Sequence, residues 1–91
     1  MKRQASYRER TMNLETIRFA LSKGYQPREF NERAVRHFRF VYNGAGSPDI
    51  EVSWYAGSNG ACITIGDTTT IGSVDTEAAD RHALASLKRY W

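Results

Sequence analysis

The sequence predicts an α+β fold in α-β-β-β-α order, with an antiparallel sheet of three or four strands and helices packed on one face. Three observations predict it. Apolar residues recur at helical spacing near both ends of the chain, the middle alternates with period two, and Gly, Pro, Asn and Asp punctuate the alternating runs. A chain of 91 residues sustains one core, because at this size only roughly 60–65 % of the unfolded surface is buried. The expected organisation is a flexible basic tail over 1–8 and a single α+β domain over 9–91.

The N-terminal helix is expected over about 9–23, where Leu14, Ile17, Ala20 and Leu21 share a stripe and Gly24 stands at the position of a left-handed cap. Met12, Thr16 and Phe19 fall on the other side of that helix, so Phe19 is either a second packing face or an exposed contact. A short helix follows over 27–35, with Pro27 at its first position and the pairs Glu29/Arg33 and Glu32/Arg36 at helical spacing. The first strand spans 36–43, where Phe38, Phe40 and Tyr42 alternate with His37, Arg39 and Val41. Asn43 to Asp49 is a loop.

The second strand, 49–57, has Ile50, Val52 and Trp54 on its inner side. Asn59-Gly60 predicts a two-residue hairpin turn into a strand over 61–66, setting Ser58 against Ala61, Ala56 against Ile63, and Trp54 against Ile65. A three-residue turn at 66–68 would bring Ile71 opposite Ile63, giving a fourth strand over 69–74. The C-terminal helix, 75–90, is capped by Asp75 or Thr76, with Val74 as a staple to Ala79 and with Lys88 and Arg89 at its carboxyl end. Its stripe is Ala79, Ala83, Leu87 and Tyr90, flanked by Leu84 and Trp91.

Charge divides the chain. Residues 1–43 carry ten Lys or Arg against four acids, and residues 44–91 carry three against six. The basic half, with Arg8, Arg10, Arg18, Lys23, Arg28, Arg33, Arg36 and Arg39 around Phe19, attracts acidic protein surfaces or nucleic acid. Its bland reading is a solvated face. Catalytic chemistry finds little to stand on: Cys62 faces outward in its strand, His37 and His82 have no legible partner, and Asp80 and His82 project apart on a helix, so they cannot share a metal. Gly44-Ala45-Gly46-Ser47 lacks the lysine of a phosphate loop. Asp49, Glu51 and Asp67 offer no readable acid pair, and nothing implies a cofactor. A lone cysteine, no apolar run behind the first ten residues and no span of membrane length together predict a reducing, cytoplasmic setting without a membrane partner.

With the 27–35 helix set aside, the order helix, three strands, helix resembles the double-stranded RNA-binding domain, as does Ile71-Gly72-Ser73 leading into the Ala-rich Thr76 to Leu87. That resemblance implies RNA or DNA binding. Where the family carries lysines at the start of its last helix, this chain has Val74, Asp75, Thr76 and Glu77, so no nucleic-acid contact is carried over. In small size, charge polarity and lack of motifs the chain also resembles phage-encoded accessory proteins that inhibit host defence, anti-CRISPR proteins among them. The leading expectation is a non-enzymatic module binding an acidic protein surface through Arg8, Arg10, Arg18, Phe19, Lys23, Arg28, Arg33, Arg36 and Arg39, and the alternative is a nucleic-acid-binding domain.

Overall fold

Alternation puts the large apolar residues of three successive strands on one side, and the strands pair so that those residues meet. A computed structural model of the chain describes residues 6–34, 37–44, 46–55, 60–66, 69–72 and 75–91. The elements are α1 (Tyr7–Met12), α2 (Glu15–Ser22), β1 (Gln26–Ala34), β2 (His37–Gly44), β3 (Ser47–Tyr55), β4 (Ala61–Ile65), β5 (Thr69–Gly72) and α3 (Thr76–Lys88). The strands form one antiparallel sheet in the order β1-β2-β3-β4-β5. Phe38, Phe40 and Tyr42 of β2 pair with Trp54, Val52 and Ile50 of β3, which pair in turn with Ala61, Ile63 and Ile65 of β4.

Those rows, Phe38 partly and the rest fully, are buried under Leu14, Ile17 and Ala20 of the α1–α2 segment and Ala79, Ala83 and Leu87 of α3. The alanines leave no side chain to hold α3 away from the sheet. On the opposite face Arg39, Val41, Glu51, Cys62 and Thr64 are half-exposed around a buried Ser53, and no helix among the described residues packs there.

The sequence-predicted class holds: helices from both ends of the chain cover one face of an antiparallel sheet, and the expected strands are β2 to β5. Several local expectations change. The segment 27–35 is not a helix but lies in β1, which adds a fifth strand at the sheet's edge. Two ion pairs at helical spacing are worth about 0.2–0.5 kcal/mol each, less than a ladder of backbone bonds to β2 at about 1 kcal/mol apiece. Pro27 is tolerated there because an edge strand leaves one side unpaired and the register shifts immediately after it.

The 9–23 helix is two helices. Leu14 is extended and offers no side-chain cap to α2, so the first N–H groups of α2 take their acceptor from α3 instead. Asp80 accepts from Glu15 N at 2.7 Å and from Thr16 N at 2.9 Å, and the Thr16 hydroxyl donates to it at 2.6 Å. Thr16, expected on the outer side, is therefore fully buried. The first helix starts at Tyr7: Ser6 caps α1 through Glu9 N, and Tyr7 stacks on Phe38 with ring centroids 4.4 Å apart.

The Asn59-Gly60 register is shifted by four residues. Trp54 meets Ala61 rather than Ile65, and Ile50 meets Ile65. The observed pairing sets all three inner residues of β3 against inner residues of β4, whereas the tight turn would have left Ile50 and Val52 beyond its end. Residues 56–59 lie outside the described residues, as do Asp67 and Val74. The expected pairing of the last strand holds, with Ile65 against Thr69 and Ile63 against Ile71, while residues 67–68 of the expected turn lie outside the described residues. The 43–49 loop contracts to a hairpin in which Gly44 pairs with Ser47 and Gly46 takes φ +73°.

Candidate binding surface

α2 and α3 run side by side, and their carboxyl ends finish together. α2 ends in Phe19, Ser22 and Lys23, and α3 ends in Lys88 followed by Arg89, Tyr90 and Trp91. Phe19 packs against the core with one edge, and Trp91 meets it edge-on at 6.5 Å. The Lys23 ammonium lies 5.5 Å from the Phe19 ring centroid and 5.7 Å from that of Trp91, and the Lys88 ammonium lies 5.6 Å from Phe19. Trp91 and Tyr90 are 52 % and 56 % exposed. Tyr90, expected in the buried stripe, lies beyond the last helical turn, where the 100° periodicity no longer governs its direction.

Tyr25 joins this end to the sheet. Its ring lies 6.5 Å from Trp91, its hydroxyl donates to the Pro48 carbonyl at 2.7 Å, and it covers Gly44 so closely that a Cβ there would stand 2.6 Å from the ring. Burial raises the Tyr25 pKa above 10, partly opposed by a hydrogen bond to Ser47 and reinforced by Asp49 and Tyr90. Tyr42 is likewise raised by burial, with the Arg8 charge acting the other way.

The predicted contact residues do not form one surface. Phe19 and Lys23 come together with two residues not expected to bind, Lys88 and Trp91. Arg18 is exposed on α2, Arg8 is exposed on α1, and Arg10 lies over the Tyr7 ring at 5.1 Å. Arg28 is exposed at the irregularity in β1, Arg33 is placed on β1 by its backbone, and Arg36 lies outside the described residues. Arg39 is on the far face of the sheet and is ion-paired with Glu51. The missed residues had a signal: each helix closes on a lysine with aromatic residues close by, but Lys88 reads equally well as a charge placed for the helix dipole.

Other features offer less. A cleft of ≈ 740 Å³ lies between the α1–α2 joint and the start of α3, floored by Leu14, Trp54 and Leu84 and rimmed by Arg10, Glu15, Glu77 and Arg81. Its buried polar groups are engaged inside the protein: the Trp54 indole N–H donates to Thr11 Oγ1 at 2.6 Å, and Asp80 caps α2. At the start of α3, the Asp75 carboxylate accepts from Glu77 N at 3.0 Å and Ala78 N at 3.4 Å, which places negative charge at this helix start. Cys62 is half-exposed on the open face, His37 stacks flat on Tyr55 at 4.5 Å, and His82 is exposed while Asp80 is buried. Among the described residues no helix is long and apolar enough to cross a membrane, and no three His, Cys, Asp or Glu gather to hold a metal.

No protein-family model, no curated protein and no solved structure matches this chain.

Proposed function

We propose that this chain is a non-enzymatic protein-binding module that engages an acidic surface of its partner with the end where α2 and α3 finish. One observation carries the reading: the exposed Trp91 ring, the partly buried Phe19 ring it meets, and the Lys23 and Lys88 ammoniums beside them form an aromatic and cationic cluster at the surface. Exposed aromatic rings bury much apolar area on contact at little entropic cost, and they are enriched among the residues that dominate interface energies. The competing structural account, lysines that offset helix dipoles, explains the charges and leaves the half-exposed Trp91 ring unexplained.

A phage-type inhibitor of a host defence complex, acting in a reducing cytoplasm, would use such a surface by occluding its target, and the lone Cys62 fits that compartment. Lysines beside an open ring also suit single-stranded nucleic acid, which is the second reading. Affinity capture from bacterial lysate, with and without nuclease, tests both. The protein reading expects a captured protein that survives nuclease and disappears with Phe19→Ala or Trp91→Ala. Capture that vanishes with nuclease would replace it with the nucleic-acid reading.

A further inference from the structure

We infer that the Lys23 and Lys88 pair reads a short acidic segment of the partner chain, in which carboxylates flank an apolar side chain laid against Trp91; this rests on the protein-binding reading above. Two ammoniums from different helices gather around one Phe19 ring. Among the described residues neither makes an ion pair or a hydrogen bond, in contrast to Arg39 with its Glu51 partner. The carbonyls near both helix ends are already taken by backbone donors: Lys23 N bonds Phe19 and Ala20, while Arg89, Tyr90 and Trp91 N bond Ser86, Leu87 and Lys88. The six ammonium N–H donors therefore remain available to an incoming acceptor.

Lysine is a compact point charge suited to a single carboxylate oxygen, whereas bidentate recognition of phosphate calls for arginine. Number matters as well as type. Two cations would release counterions from only about two phosphates, a salt slope of about −1.8 for duplex and about −1.4 for single strands, too short a track for nucleic acid to be held at physiological salt. An acidic peptide gains the remainder of its affinity from apolar contact with the open Trp91 ring.

The test is an NMR titration of the folded chain with three probes: a capped pentapeptide of four glutamates around one leucine, its glutamine counterpart, and decathymidylate. The glutamate peptide should shift the signals of Phe19, Lys23, Lys88 and Trp91 saturably. The glutamine peptide should bind roughly fivefold to tenfold more weakly, as should the glutamate peptide to the double variant Lys23→Gln/Lys88→Gln, this being the loss of two exposed ion pairs. The variant's amide spectrum reports that it is still folded. Equal binding of the two peptides, shifts confined to other residues, or tighter binding of decathymidylate would overturn the inference. Should the glutamate peptide give no shifts while Trp91→Ala still abolishes partner capture, the acidic-segment inference falls and the protein-binding reading stands.

Discussion

The two ends of the α2–α3 pair are built on opposite principles. At the amino end of α2, a carboxylate from α3 accepts three hydrogen bonds in a site nearly closed to water. At the carboxyl ends, rings and ammoniums meet in the open. Burial makes every unmet donor at the first end costly, on the order of 1–3 kcal/mol each. Water solvates the lysines at the second, where a cation over a ring is worth about 0.5–1 kcal/mol. One end therefore holds the helices together, and the other is free to be shaped for a partner.

The contrast can be broken by substitution, beginning where the effect is largest. Asp80→Ala strands the Glu15 and Thr16 donors, and we expect a loss of about 3 kcal/mol, which for a domain this size lowers the melting temperature by roughly 12–24 °C; a drop of only a few degrees in a thermal melt would show that the cap is dispensable. Gly44→Ala pushes its Cβ into the Tyr25 ring and should cost about 1–3 kcal/mol in chemical denaturation. It should also disturb Trp91 fluorescence, because Tyr25 supports that ring. Phe19→Ala, with one edge in the core, should cost about 2 kcal/mol, and Trp91→Ala less than about 1 kcal/mol. Equal losses for these two would place Trp91 in the core.

Alkali gives a subtler test. The raised pKa of buried Tyr42 and Tyr25 means the folded state keeps its phenol protons when the unfolded chain, titrating at 10.0, has lost them. Their neutral forms contribute stability that is fully present below pH 10 and lost as pH rises from 10 through the folded pKa of each. Denaturant midpoints should fall across that window in the native chain, and less steeply in Tyr42→Phe. A midpoint that stays flat there would mean the phenols are not buried.

What sequence could disclose follows from the range of each interaction. Phe38, Phe40 and Tyr42, or Ile50, Val52 and Trp54, announce their inner face because strand alternation is local. The Asn59-Gly60 register failed for a physical reason: a slip of four residues leaves every side chain on its own face, so alternation could not detect it. β1 was hidden because Pro27 and its i, i+4 charge pairs are local helix signals, while the pairing with β2 that overrides them is tertiary. The break at Leu14 depends on Asp80, 65 residues from Glu15, and no local pattern carries that information. At the binding end, the helical wheel set Phe19 apart from the Leu14/Ile17/Leu21 stripe as either a second packing face or an exposed contact, and it is half-buried against the core. Lys88 and Trp91 join Phe19 only because α3 lies alongside α2, whereas Arg39 stands on the opposite face by strand alternation alone, a separation the local pattern already carries.

The division between a holding end and a recognising end is tested most directly by partner capture with Lys23→Glu/Lys88→Glu, read beside its melting temperature. The account predicts that capture is lost while the melt stays within a few degrees of the native chain, since both ammoniums are solvated. Retained capture, or a collapse in stability comparable to that of Asp80→Ala, would contradict it.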